Sequence, residues 1–150
     1  MQAGKEYGQH TLNAVIQVLL VDDHALIRRG LRAILESYCD VQVVGEVDDG
    51  RQAIEAVKAL RPQLVVMDIN MPVMDGIEAT ARIKHEYPDT IVVGLSISAS
   101  KENREAILKA GAIELLAKEA ALEQLHDTIV RAFRASKMEG RLCSAMDETV

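Results

Sequence analysis

Apolar residues in this chain form two alternating kinds of stretch: short unbroken runs, and longer segments in which they recur every third or fourth position. The cleanest runs cover residues 16–21 (Gln17 excepted), 64–67 and 91–95, and two less pure ones cover 41–46 and 113–116. Runs this short with almost no polar interruption predict strands buried on both faces. Between them lie helical patterns. Ile27, Leu31, Ile34 and Leu35 share one face of a segment 24–37, and Ile54, Val57 and Leu60 one face of 52–60, with Pro62 just beyond. A third helix is predicted over 76–87, stopped by Pro88-Asp89, and a mostly polar fourth over 101–110, closed by Gly111. Leu122, Leu125, Ile129 and Phe133 give a fifth its inward stripe. Asp23 stands where it would cap the first helix.

Five strands alternating with five helices predict an α/β fold, a doubly wound parallel sheet covered on both faces. The expected strand order is the flavodoxin-like 2-1-3-4-5, with the ligand crevice at the carboxyl ends of strands one and three. Residues 1–14 are polar and predict an N-terminal tail, 15–135 one folded domain, and 136–150 a linker or disordered tail, since no periodicity survives there. No Gly-x-Gly-x-x-Gly or Gly-x-x-x-x-Gly-Lys follows the first strand, so the usual nucleotide loops lack their motif.

Composition narrows the class. With 150 residues, 49% apolar and 27% charged, the chain suits one globular domain. A net charge of −6 argues against direct nucleic-acid binding by this chain. No run of about 18 apolar residues is present to span a membrane, and the first eleven residues lack an apolar signal core. Cys39 and Cys143 have no metal-like spacing, which fits a reduced, cytoplasmic chain. His10, His24, His85 and His126 are scattered, so no transition-metal site is expected.

The chemistry lies at the strand ends. Strand one stops at Asp22-Asp23, strand three at Asp68, strand four at Ser96, and strand five near Lys118. Each residue alone has a plain explanation as a turn, cap or solvated position. In a parallel sheet, however, all of these ends fall on one edge. Two carboxylates about 5 Å apart at an effective dielectric of about 20 repel by on the order of 3 kcal/mol. Such a cluster must take up a proton, spread or hold a cation, and an all-oxygen set suits Mg²⁺. Asp68 is then a candidate carboxylate nucleophile toward phosphorus, with Lys118 and Ser96 placed to meet phosphoryl oxygens.

The segments Val-Leu-Leu-Val-Asp22-Asp23-His24 and Asp68-Ile-Asn-Met-Pro-Val-Met-Asp-Gly, Ser96 after Val-Val-Gly-Leu, and Lys118 after Gly-Ala-Ile-Glu-Leu-Leu-Ala closely resemble the receiver domain of two-component response regulators over about residues 15–135. The resemblance implies Asp68 as phosphoacceptor, and Asp23, Asp68 and the Asn70 backbone carbonyl as Mg²⁺ ligands, with Asp22 holding metal waters. It implies Ser96 as switch hydroxyl, Lys118 as phosphate partner, and a histidine kinase or histidine phosphotransfer protein as donor. A homodimer is compatible with it. Val-Asp-Asp-His-Ala-Leu-Ile-Arg-Arg-Gly-Leu is similar to members with a helix-turn-helix output domain, and the Gly94-Leu95-Ser96 ending to terminal receivers of hybrid histidine kinases. Three positions depart from the family pattern: Leu115 where an aromatic switch residue is usual, Ile97 where a small residue is common, and Glu119 where many members have Pro. Two other classes compete. A Mg²⁺-dependent aspartyl-nucleophile phosphatase would ordinarily carry Asp-x-Asp after its first strand, whereas this chain has adjacent Asp22-Asp23. A receiver-like interaction module that is not phosphorylated would not need every acid, hydroxyl and amine position filled.

Overall fold

The computed structural model describes residues 15–148, with side chains as far as residue 138; the tail expected over 1–14 lies outside the described residues. The chain runs β1 (Ile16–Val21), α1 (Ala25–Glu36), β2 (Val41–Val47), α2 (Gly50–Leu60), β3 (Leu64–Asp68), α3 (Gly76–Glu86), β4 (Ile91–Ser96), α4 (Lys101–Ala110), β5 (Glu114–Ala117) and α5 (Lys118–Glu148). The five strands form one sheet in the order β2-β1-β3-β4-β5, and every neighbouring pair is parallel. This is the doubly wound, flavodoxin-like arrangement that the alternation of patterns predicts.

Strand periodicity sorts the core into two layers. Val18, Leu20, Leu64, Val66, Val93 and Leu116 face α1 and α5, where they meet Leu31, Leu35, Leu125 and Ile129. Leu19, Val21, Val65, Met67, Val92 and Leu115 face the other way, against Ala53, Val57, Ala79, Ile83 and Ile107. β3 is buried at all five positions, including its final aspartate. Three helices start on a side-chain cap: Asp49 accepts from the Gln52 amide, Asp75 from Glu78, and Ser100 from Asn103.

Several sequence expectations need correction. α1 begins at His24 without any side-chain cap, so Asp23 does not cap it; the preceding aspartate, Asp22, turns back instead and accepts from the His24 amide at 2.8 Å. Leu122 and Leu60 are exposed rather than inward. Small residues, Ala121 and Ala53, are buried on the same helices instead. The linker expected over 136–150 does not begin at Ser136, because α5 continues to Glu148. Loss of an apolar stripe removes a packing face but not helix propensity, and this segment holds no Pro and one Gly.

α1 is fastened to β2 by charge. Glu46 receives Arg28 Nε at 2.9 Å and is also bonded by Arg32. The Arg32 hydrogen bond first, and then that of Arg28, hold the Glu46 carboxyl below the ordinary Glu value near 4.5, against the opposing effect of burial. A carboxyl held low in the fold adds stability above its unfolded value, and that stability disappears as pH falls through the lowered folded value. Glu46→Gln should therefore destabilise the domain at pH 7 by about 1 kcal/mol, a modest figure because Arg32 is 40% exposed. Urea midpoints of the two proteins should converge as pH falls from the unfolded Glu value through the lowered folded one; a gap that stays constant throughout acidification would contradict the ionic origin.

Candidate functional site

Register brings the chemistry together. Val21 pairs with Met67, Asp68 with Leu95, and Ser96 with Ala117. Asp22, Asp68, Ser96 and Lys118 therefore all stand within one step of the last paired positions, on the carboxyl edge of the sheet. Asp68 is fully buried and Asp22 nearly so. Asp23 is half-buried, and Asn70 is exposed at the start of the loop to α3. Gly76, at the head of α3, presses against this loop: a Cβ there would come within 2.1 Å of the Asp68 carbonyl oxygen, so only glycine fits.

Lys118 is the hub. Its Nζ donates to Asp68 Oδ2 at 2.9 Å and to Asp22 Oδ1 at 3.3 Å, and lies 3.2 Å from His24 Nδ1. The remaining Asp68 oxygen accepts from the Asn70 amide at 3.0 Å. Burial raises the Asp68 carboxyl to about 6; the Asn70 amide and Lys118 oppose that rise, and the charge of Asp22 adds to it. Asp22 Oδ2 and Asp23 Oδ1 are buried with no hydrogen-bond partner, although Lys118 Nζ sits 3.2 Å from the former. Buried carboxylate oxygens left without donors are what a cation site presents. Asp22, Asp23 and Asp68 thus fit a hard divalent ion.

Ser96 faces this cluster from β4. Its Oγ donates to the Ser98 carbonyl at 2.7 Å and accepts from the Ser98 amide at 3.1 Å, while Asn70 Oδ1 lies 3.3 Å away. Asn103, on the first turn of α4, donates to the same Ser98 carbonyl at 2.8 Å. Leu115 is buried against the α4 side of the sheet, and Ile97 is exposed. The bond from Lys118 to Glu119 enters α5 directly, and no cis peptide occurs among the described residues. Two participants escaped the sequence reading. Asn103 belongs to a helix read only as polar. His24 was grouped with scattered histidines, yet it stands beside three acids; its position directly after Asp22-Asp23 at a strand end was the available signal.

Residues 18–130 match the response regulator receiver domain. The chain belongs to that family. The receiver is 34% identical over 137 residues to the transcriptional regulatory protein LiaR of Bacillus subtilis, covering 88% of this chain and 65% of that protein. It is 38% identical to DegU of Brevibacillus brevis, covering 76% and 48%. It is 39% identical to a protein-glutamate methylesterase/protein-glutamine glutaminase of Methanococcoides burtonii, covering 74% and 32%. The chain therefore spans from about a third to just under two thirds of these relatives. Among solved structures, the signal receiver domain of the putative response regulator NarL from Mycobacterium tuberculosis superposes with a TM-score of 0.77 at 30% identity, covering 81% of this chain and 98% of that one. The response regulator domain of Thermotoga maritima CheB gives 0.75 at 32%, covering 80% and 97%.

A carboxyl whose folded pKa is raised binds its proton more tightly in the fold, so stability falls as pH rises from about 4 to about 6. Asp68→Asn, assayed with a chelator present, should therefore melt higher than the parent at pH 7.5. The advantage should vanish near pH 4. A variant that melts lower at pH 7.5 would mean that the ion pair with Lys118 outweighs the burial cost.

Proposed function

We propose that this receiver accepts a phosphoryl group on Asp68 from a phosphohistidine of a histidine kinase or histidine phosphotransfer protein. The observation that carries this reading is the ammonium of Lys118, held between Asp68 and Asp22 beside carboxylate oxygens that lack donors. One Asp68 oxygen forms a bond to phosphorus as the phosphorus–nitrogen bond of the donor breaks, and the imidazole leaves with its electron pair. Each carboxylate oxygen keeps an unused lone pair despite its present hydrogen bond, so the nucleophile is oriented without being blocked. Lys118 then meets the negative charge of the transferred group. Asp23, Asp68 and the Asn70 carbonyl would hold Mg²⁺, with Asp22 holding its waters. When bound, that ion neutralises charge on the phosphoryl oxygens. The chain's own catalysis would be this transfer and the later hydrolysis of the aspartyl phosphate, in which water takes the phosphoryl group and releases inorganic phosphate and the free carboxylate.

The reading extends to place and partners. Among the described residues no helix is long and apolar enough to cross a membrane. A net charge of −6 supports a receiver that engages protein partners rather than nucleic acid; a cytoplasmic setting and a homodimer remain part of the proposal. The phosphatase alternative is not favoured, because the adjacent Asp22-Asp23 pair belongs to the receiver pattern.

Acetyl phosphate with Mg²⁺ should add one phosphoryl group, detected by intact mass, and Asp68→Ala should abolish it. The same adduct on Asp68→Ala would move the site. Millimolar Mg²⁺ alone should raise the melting temperature, by linkage to a site that only the folded chain assembles.

The switch follows from Ser96 and Leu115. The single Ser96 proton is committed to Ser98, so reaching a phosphoryl oxygen requires leaving that bond. Leu115 stays buried without a polar tip to re-satisfy, so its two states differ little in energy. Phosphorylation should reshape the loops after β3 and β4 and change the α4–β5–α5 face only modestly. Amide exchange with a stable phosphoryl mimic should detect this, and Leu115→Tyr should enlarge the change. Strong protection changes across 101–116 in the parent would refute it.

A further inference from the structure

The acid pocket contains a nitrogen that phosphoryl transfer does not use. One donor atom from each of Asp22, Asp23, His24 and Asp68 lies within 4.8 Å of every other, a spread that the coordination sphere of one divalent ion spans with slight contraction. The imidazole has no evident structural duty: it makes no cap bond to α1 and is 48% exposed. Its Nδ1 is nevertheless aimed inward, 3.2 Å from Lys118 Nζ and 3.3 Å from both Asp22 Oδ1 and Asp23 Oδ1. The Lys118 ammonium can only donate and favours Nδ1 as acceptor, whereas the two carboxylate oxygens favour it as donor; a cation between them would satisfy the carboxylates and take the Nδ1 lone pair. Independently, Asp22 Oδ2 and Asp23 Oδ1 are buried without donors in the same place.

We propose that His24 is a further metal ligand, making this a mixed nitrogen–oxygen site that prefers later first-row divalent ions, such as Co²⁺, Ni²⁺ or Zn²⁺, to Mg²⁺. Imidazole is a good ligand for those ions, whereas Mg²⁺ takes oxygen almost exclusively. His24 therefore separates the two classes while the carboxylates serve both. The proposal rests on reading the pocket as a cation site and adds the selectivity of that site.

The test is calorimetric titration of the full chain with Mg²⁺ and with Ni²⁺, counting only Ni²⁺ that excess Mg²⁺ displaces, so that other imidazoles do not contribute. Wild type should bind Ni²⁺ more tightly than Mg²⁺. His24→Ala should weaken Ni²⁺ by at least the roughly tenfold that even an outer partner of a metal ligand is worth, and leave Mg²⁺ within about twofold. Its retained Mg²⁺ binding shows that the variant is folded. Asp23→Ala should weaken both ions, and the visible absorption of bound Co²⁺ should change between wild type and His24→Ala. Equal Mg²⁺-displaceable Ni²⁺ affinity in wild type and His24→Ala would overturn the proposal while leaving the receiver reading intact. Failure of wild type to bind either ion would overturn both.

Discussion

One ammonium holds together what the rest of the fold assembles. The sheet delivers three carboxylates to one edge, two of them almost wholly out of water, and mutual repulsion would push them apart or protonate them. Lys118 answers this from the head of α5, directly after β5 and two strands away from Asp68, with its side chain only 6% exposed. The burial that lifts the Asp68 carboxyl is thus partly offset by a neighbour lying 50 residues away in sequence. Such a cation is local and compact, so it can neutralise the cluster without filling every lone pair. Oxygens of Asp22 and Asp23 stay unsatisfied, and the pocket keeps its appetite for positive charge or for the donors of an incoming group.

Much of this was legible in the chain because strand burial and strand ending are both one-dimensional signals. Fully buried strands read as apolar runs, and the first polar residue after each run marks the sheet edge. Asp22, Asp68 and Ser96 therefore announced themselves, and Lys118 followed by the same logic despite a β5 that is only four residues long. What failed shares a different cause. Helix faces were inferred from large apolar residues, while Ala53, Ala79 and Ala121 are as buried as those, and a search for leucines passes over them. Asp23 looked like a cap because caps are common there. In the fold it faces the pocket, and Asp22 takes the local turn bond. The place of His24 directly after Asp22-Asp23 marks a strand end, but nothing in linear spacing tells an inward imidazole, or an inward Asn103 amide, from an outward one.

The relatives separate the site from its consequence. Proteins named as transcriptional regulators and proteins named as methylesterases match the same stretch of this chain. A similar receiver thus precedes or accompanies unlike partners. What the matches share is similarity to this receiver domain, and what their names record is different activities. The fold imposes the first and leaves the second open.

Leu115 and Ser96 indicate how the sheet edge communicates with the α4–β5–α5 face. An aromatic at the Leu115 position would couple the two by swinging between solvent and core. Leucine, packed beside Gly94 and Ile107, has little reason to move: the space over Gly94 is already so tight that a Cβ would meet both neighbours at 3.1 Å. The remaining connection is made of hydrogen bonds. Ser96 holds the Ser98 carbonyl and amide, and Asn103 on α4 holds that same carbonyl. Pulling the hydroxyl away would leave the carbonyl with Asn103 and the amide in need of another acceptor. Ser98 is exposed, so water can take over from either group, and the loop between β4 and α4 is free to rearrange with the hydroxyl. Were Ser96 to turn toward a phosphoryl group, the first bonds to change would be those of this short stretch of main chain rather than the Leu115 rotamer. The link from there to α4 would run through Asn103, which donates to the same Ser98 carbonyl.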